Sequence, residues 1–115
     1  MTAEQFRRIA LSMEGAIEGA HMGHPDFRAN GRIFATLSPG EKDGMVKLSP
    51  EQQEEYLHAH PKAYVPVNGA WGRQGCTTVR LAAATEATLT VAMRLAWLES
   101  GKKRPAKKSR GNRSL

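Results

Sequence analysis

His21, His24, His58, His60, Asp26 and Cys76 are the residues of this chain whose types suit metal binding or nucleophilic chemistry. Zinc takes three or four N or S ligands converging tetrahedrally, usually from tight pairs such as Cys-x-x-Cys. Here the two histidine pairs fall on separate segments, and His60 directly precedes Pro61. No metal site is expected, and the histidines read as surface or capping residues. His24, Asp26 and Cys76 also have the types of a base, an orienter and a nucleophile. Such catalysis needs the thiolate beside an imidazole or a helix N-terminus that lowers its pKa. Cys76 follows glycines at the start of an expected strand, with nothing local to lower its pKa, so a buried, inert thiol is expected. The glycine-containing segment Asn68–Gly75 lacks G-x-x-x-x-G-K-[ST] and does not lead into a helix, so it is no phosphate cradle of that kind. No catalytic residue and no cofactor is assigned, and the chain is read as not being an enzyme.

Positive charge is the stronger signal. The chain of 115 residues has a formal net charge of +6. Residues 101–115 hold Lys102, Lys103, Arg104, Lys107, Lys108, Arg110 and Arg113 with no acid, whereas the first 100 residues carry ten Lys and Arg against eleven Asp and Glu. The body is nearly neutral and the excess basicity is terminal, so an argument from net charge towards a polyanion concerns this tail. Seven cations on a polar, Ser/Gly/Pro/Ala-containing tail, expected to be disordered when unbound, can neutralise phosphates and release counterions without a fixed geometry. A tail that merely aids solubility is the bland alternative. Within the body, Arg28 and Arg32 flank an Asn-Gly turn, and Lys47 and Arg80 lie on nearby strands; on a common face they would make a positive strip. Trp71 is expected to fold over the sheet edge as a core cap. Its functional alternative is stacking on a base with Arg73 beside it.

The elements that must position these groups are legible from pattern. Thr2-Ala3-Glu4-Gln5 has capping-box form, and Phe6, Ile9, Ala10 and Met13 recur at helical spacing, which predicts a helix over 3–13. Asn30-Gly31 suits a type I′ hairpin turn between Phe27-Arg28-Ala29 and Arg32–Leu37, with Ile33, Ala35 and Leu37 expected on one face and Phe34 and Thr36 on the other. With Met45–Leu48 this predicts a three-stranded meander, with a further short strand around 20–22 as an option. Ser49-Pro50-Glu51-Gln52 opens a second helix, expected to lie over an edge and to stop before Pro61. Tyr64–Val67 reads as an edge piece, 68–75 as a loop, and Cys76–Leu81 as a strand. Thr85 caps a last helix over 86–99, with Leu89, Ala92, Leu95, Ala96 and Glu99 on one face and Gly101 at its end. The order α-βββ-α-ββ-α indicates an α+β fold of two layers, an antiparallel sheet with helices at the N-terminus, middle and C-terminus. One domain over 1–100 and a tail over 101–115 follow. No apolar run is long enough to span a membrane, and a single cysteine fits a reducing cytosol, so a cytoplasmic protein, favoured as a monomer, is expected.

With these residues in view the chain resembles the MmcQ/YjbR family. The resemblance rests on Ala10-Leu11-Ser12-Met13-Glu14-Gly15-Ala16-Ile17-Glu18-Gly19, Gly23-His24-Pro25-Asp26-Phe27-Arg28, the Asn30-Gly31 hairpin with Ile33–Leu37, Val46-Lys47-Leu48, Gly69-Ala70-Trp71-Gly72 and Thr78-Val79-Arg80-Leu81, in family order over residues 5–99. Many relatives place an aromatic residue, often Trp, just before the Thr-x-Val-x-Leu strand, where this chain has Cys76. The resemblance implies a compact α+β fold related in shape to CyaY and to secretion chaperones. It also implies a DNA-binding role, the label its members generally carry. The expected protein is therefore a non-enzymatic DNA binder acting largely through phosphate contacts, with Arg28, Arg32, Lys47, Trp71, Arg73, Arg80 and the seven tail cations as binding residues. A protein- or ligand-binding adaptor using the sheet face is the alternative.

Overall fold

A computed structural model describes residues 1–21 and 23–102. Its elements are α1 (Ala3–Leu11), β1 (Ile17–His21), β2 (His24–Ala29), β3 (Arg32–Leu37), β4 (Asp43–Lys47), α2 (Pro50–Ala59), β5 (Tyr64–Pro66), α3 (Ala70–Arg73), β6 (Cys76–Arg80) and α4 (Glu86–Ser100). Among the described residues the strands form one antiparallel six-stranded sheet in the order β1-β2-β3-β4-β6-β5. The α+β, two-layer expectation therefore holds. The meander gains a strand: β1 spans Ile17–His21 and pairs along β2 as an outer edge, so the option raised around 20–22 is a full strand starting earlier.

Local chemistry places the helices. Thr2 Oγ1 accepts from the Gln5 backbone N–H at 3.1 Å while Gln5 Oε1 accepts from the Thr2 N–H at 2.8 Å, and Ser49 and Gln52 repeat this reciprocal cap at α2. Thr85 Oγ1 caps α4 through the Thr88 N–H. Asn30 and Gly31 both take positive φ, 57° and 75°, as the tight hairpin requires.

Cross-strand register sorts the two faces of the sheet. Phe27, Ala35, Leu37, Val46, Val79 and Tyr64 share one face, all fully buried, and α1 and α4 pack over it. Phe6 of α1 meets Phe27 with ring centroids 6.0 Å apart and lies over Gly44, where a Cβ would collide with the ring. The opposite face carries Asp26, Thr36, Met45, Thr78 and Val65 in one row across five strands, and all but Asp26 are partly exposed.

Two expectations need correction here. Strict alternation in β3 fails because Phe27 pairs with Ala35 while Arg28 pairs with Ile33, which skips Phe34. This bulge turns Phe34 into the core, leaving Ile33 half-buried opposite Arg28. On α4 the buried set is Leu89, Ala92, Met93, Ala96 and Ser100, so the inward face is rotated slightly from the expected one; Leu95 and Glu99 lie at its margin.

Candidate nucleic-acid interface

Three of the cations singled out by sequence line one cavity. Its volume is about 550 Å³, and it opens where the β2–β3 turn, the end of β4 and the last turn of α4 come together. Arg28, Arg32 and Lys47 supply its positive groups, Ile33, Leu48 and Ala96 its apolar wall, and Glu99 its carboxylate.

Each group is held by an identifiable contact. Arg28 Nε donates to Asp26 Oδ1 at 2.8 Å and Nη2 to Oδ2 at 3.1 Å. Asp26 is fully buried, so the two residues, two apart on one strand and hence on one face, make a fixed fork. That pairing raises the Arg28 pKa further, so the guanidinium stays charged throughout the usual pH range. Arg32 Nη1 donates to the Lys102 carbonyl at 2.7 Å, and Lys102 Nζ donates to Glu99 Oε2 at 2.7 Å. Lys102, the first tail cation, is thus fastened at the rim of the cavity, and the carboxylate in the wall already holds a cation. Lys47 Nζ stands 5.8 Å from the Trp71 ring centroid, within cation–π range.

Trp71 sits on α3, a short helical turn where the sequence suggested a loop. Its side chain is 61% exposed, so it is not a core cap; the expectation of one is overturned. The turn forms because backbones approach closely there. A Cβ at Gly72 would strike the Val67 carbonyl, and one at Gly75, whose φ is +110°, would strike the Leu48 carbonyl. Gln53, buried on α2, donates its amide N–H groups to the Gly72 and Cys76 carbonyls, both at 3.0 Å, and so pins α3 against β6. Sequence reasoning passed over Gln53 because it flanks the capping Gln52 and shares its type. An amide facing inward on an otherwise polar helix carries no local mark.

The remaining candidates lie elsewhere. Arg73 lines a separate depression with Val67, Asn68 and Gly69. Arg80 is exposed and pairs with Asp43 at the far end of β6, about 13 Å along the strand from Cys76. The strip that Arg28, Arg32, Lys47 and Arg80 would have made on a common face is not continuous: three of them line one opening and Arg80 stands apart, because Arg80 and Lys47 occupy opposite ends of paired strands. Lys103, Arg104, Lys107, Lys108, Arg110 and Arg113 lie outside the described residues.

Cys76 is buried, and burial pushes its pKa up, the opposite of what a nucleophilic thiolate requires. It lies on β6, three strands from Asp26 on β2, about 14 Å across the sheet. Among the described residues no three His, Cys, Asp or Glu side chains gather as a metal site would require, and no helix is long and apolar enough to cross a membrane.

Fold and cavity together describe a two-layer α+β protein with a cation-lined opening at one end of its sheet. The sequence model of the YjbR family matches residues 11–99, and the chain belongs to that family. A solved structure of similar fold is the crystal structure of Deinococcus radiodurans protein DR2400, with a DUF419 domain: TM-score 0.75, 21% identity, covering 96% of this chain and 86% of that one. No curated protein matches the sequence.

Proposed function

We propose that this YjbR-family protein binds DNA without acting on it chemically, through phosphate contacts largely indifferent to base sequence. The observation that carries this reading is the clustering of Arg28, Arg32 and Lys47 at one opening with Lys102 fastened to its rim. From that rim the sequence continues with Lys103, Arg104, Lys107, Lys108, Arg110 and Arg113, so cationic side chains follow one another from the body into the tail. Among the described residues neither Arg32 nor Lys47 is held by a carboxylate, unlike Arg7, Arg8 and Arg28. Such charges keep their full attraction for a polyanion.

Gel shifts on duplex DNA at two salt concentrations, comparing the full chain with residues 1–102, test the proposal. Each phosphate contact contributes about −0.9 to the slope of log K against log salt. The full chain should show the steeper slope and the tighter binding at low salt. Equal, salt-insensitive behaviour of both chains would end the reading.

One observation favours a second reading. The partly exposed row Thr36, Met45, Thr78 and Val65 is a surface on which an adaptor could hold a protein partner, the use that a likeness to CyaY or secretion chaperones would suggest. A pull-down with tagged full-length protein that enriches no protein counts against it.

A further inference from the structure

The opening is a half-open depression of limited size, and that size narrows what the cations can receive. Duplex DNA presents phosphates as a continuous rail, about one charge per 1.7 Å of axis, and would lie across the rim of such a depression. A volume of about 550 Å³ falls inside the range of small-ligand pockets, roughly 300–1,000 Å³. Arg28 is paired with the buried Asp26 and Glu99 holds Lys102, so the uncompensated charge at the opening is that of Arg32 and Lys47. That excess matches a phosphomonoester, which carries about −1.5 to −2 at neutral pH, better than a single diester charge. The Arg32 donors are also set in advance: the Lys102 carbonyl takes one N–H, leaving the other edge of the guanidinium for an acceptor.

Lys47 links this opening to the indole. A phosphate bonded to its ammonium at about 2.8 Å lies within about 9 Å of the Trp71 ring centre, since the ammonium itself is 5.8 Å from it. The exposed indole can then stack on the base that the phosphate carries.

We infer that the opening between the β2–β3 turn and the end of α4 is a phosphomonoester site that receives a terminal nucleotide, with the phosphate on Arg32 and Lys47 and the base against Trp71. The inference rests on the nucleic-acid reading above and sharpens it: the tail and rim hold the strand, while the cavity recognises its end. A free nucleoside monophosphate has the same chemistry.

The experiment uses the full chain and fluorescence anisotropy on one short single-stranded oligonucleotide, carrying either a terminal phosphate or a terminal hydroxyl. AMP and adenosine serve as competitors, and duplex binding is measured alongside. The phosphorylated strand should bind at least about tenfold more tightly. AMP but not adenosine should displace it, and the preference should grow from about pH 5 to about pH 7.5 as the phosphate loses its second proton near pH 6. Arg32→Gln and Lys47→Gln should each erase the preference while melting like the parent protein. Lys62→Gln, at an exposed cation that does not line the opening, should keep it. Lys47→Arg, which retains charge at the opening, should restore most of it and separates recognition from a merely structural loss. Free AMP competing as strongly as the phosphorylated strand binds would identify the free nucleotide as the source; weaker competition would identify the strand end. Equal affinity for both strands with duplex binding intact would overturn the cavity assignment and leave the DNA-binding reading standing. Phosphate-dependent binding of AMP with no oligonucleotide or duplex binding would do the reverse.

Discussion

Arg7 and Lys47 are both cations of a nearly neutral body, yet their surroundings differ completely. Arg7 lies among three glutamates, with Glu4 at 3.0 Å, Glu18 at 3.1 Å and Glu41 at 3.8 Å, and ties α1 to β1 and to the loop after β3. Beside it Arg8 bonds Glu86 at 2.9 Å, joining α1 to α4. At the cavity end Lys47 faces an indole and Arg32 a backbone carbonyl. The fold places acids against arginines where helices and strands must be held together, and leaves Arg32 and Lys47 without them at one opening, where Arg28 and Lys102 are paired with Asp26 and Glu99. Charge at the α1 end serves structure; charge at the cavity end remains available to a ligand.

Substitutions can break this comparison, beginning with the face that α1 and α4 cover. Phe27→Ala removes a fully buried ring that packs on Phe6, and should cost about 3–5 kcal/mol in urea unfolding. A loss below about 1 kcal/mol would mean that this face is not the core. Gln53→Ala should cost about 1–3 kcal/mol, because the Gly72 and Cys76 carbonyls lose a buried donor. It should also loosen α3, measured as faster amide exchange at 70–75 than in α1.

An alkaline titration addresses the same layer. Burial pushes the Tyr64 phenol up to about 12, against a smaller lowering by its hydrogen bond with Thr88. An unfolded tyrosine ionises near 10. Between those values the unfolded chain binds fewer protons than the folded one, so stability should be level at neutral pH, fall from about pH 10 to about pH 12 and then flatten. Tyr64→Phe should shallow that fall markedly. An unchanged alkaline limb would show that the phenol is accessible.

Against these, the cavity end should scarcely register in stability. Arg32→Gln with Lys47→Gln should move the unfolding free energy by no more than about 0.5 kcal/mol for each substitution, yet lower the salt slope of DNA binding by about 1 for every phosphate no longer neutralised. A large stability loss with an unchanged slope would reverse the comparison and make these cations structural.

Most of the fold was legible because its signals are local. Thr2 with Gln5, Ser49 with Gln52, Thr85, and Asn30-Gly31 each act within three or four residues, and each does in the structure what its type requires. What was not legible depends on distant partners. The bulge at Phe34 is set by β2, β1 has a sequence (Ile-Glu-Gly-Ala-His) without alternation, and α3 needs Gln53 and the Val67 backbone to form at all. The site divides the same way. Arg28 and Arg32 could be foreseen as neighbours across a hairpin. Their meeting with Lys47 depends on β4 lying beside β3 and on α4 ending over the turn, where Asn30 Nδ2 donates to Ser100 Oγ at 3.2 Å. Type and spacing named the cations, and only the topology could show which would converge.

The smallest effect separates the two tryptophans. Trp97 donates its indole N–H to the Glu14 carbonyl at 2.8 Å and joins the end of α4 to the segment after α1, so Trp97→Phe should cost about 1 kcal/mol. Trp71, 61% exposed beside Lys47, makes no comparable bond among the described residues, and Trp71→Phe should change stability by less than about 0.5 kcal/mol. Each substitution leaves one indole as reporter. Acrylamide should quench emission strongly when Trp71 is the one left and weakly when Trp97 is. Addition of a phosphorylated oligonucleotide should shield Trp71 and leave Trp97 unmoved, since only one of them stands at the cationic opening. If Trp71→Phe instead costs more than about 1 kcal/mol, the indole is packing material in solution, and the contrast between a closed, acid-paired end and an open, cationic one fails at its most exposed residue.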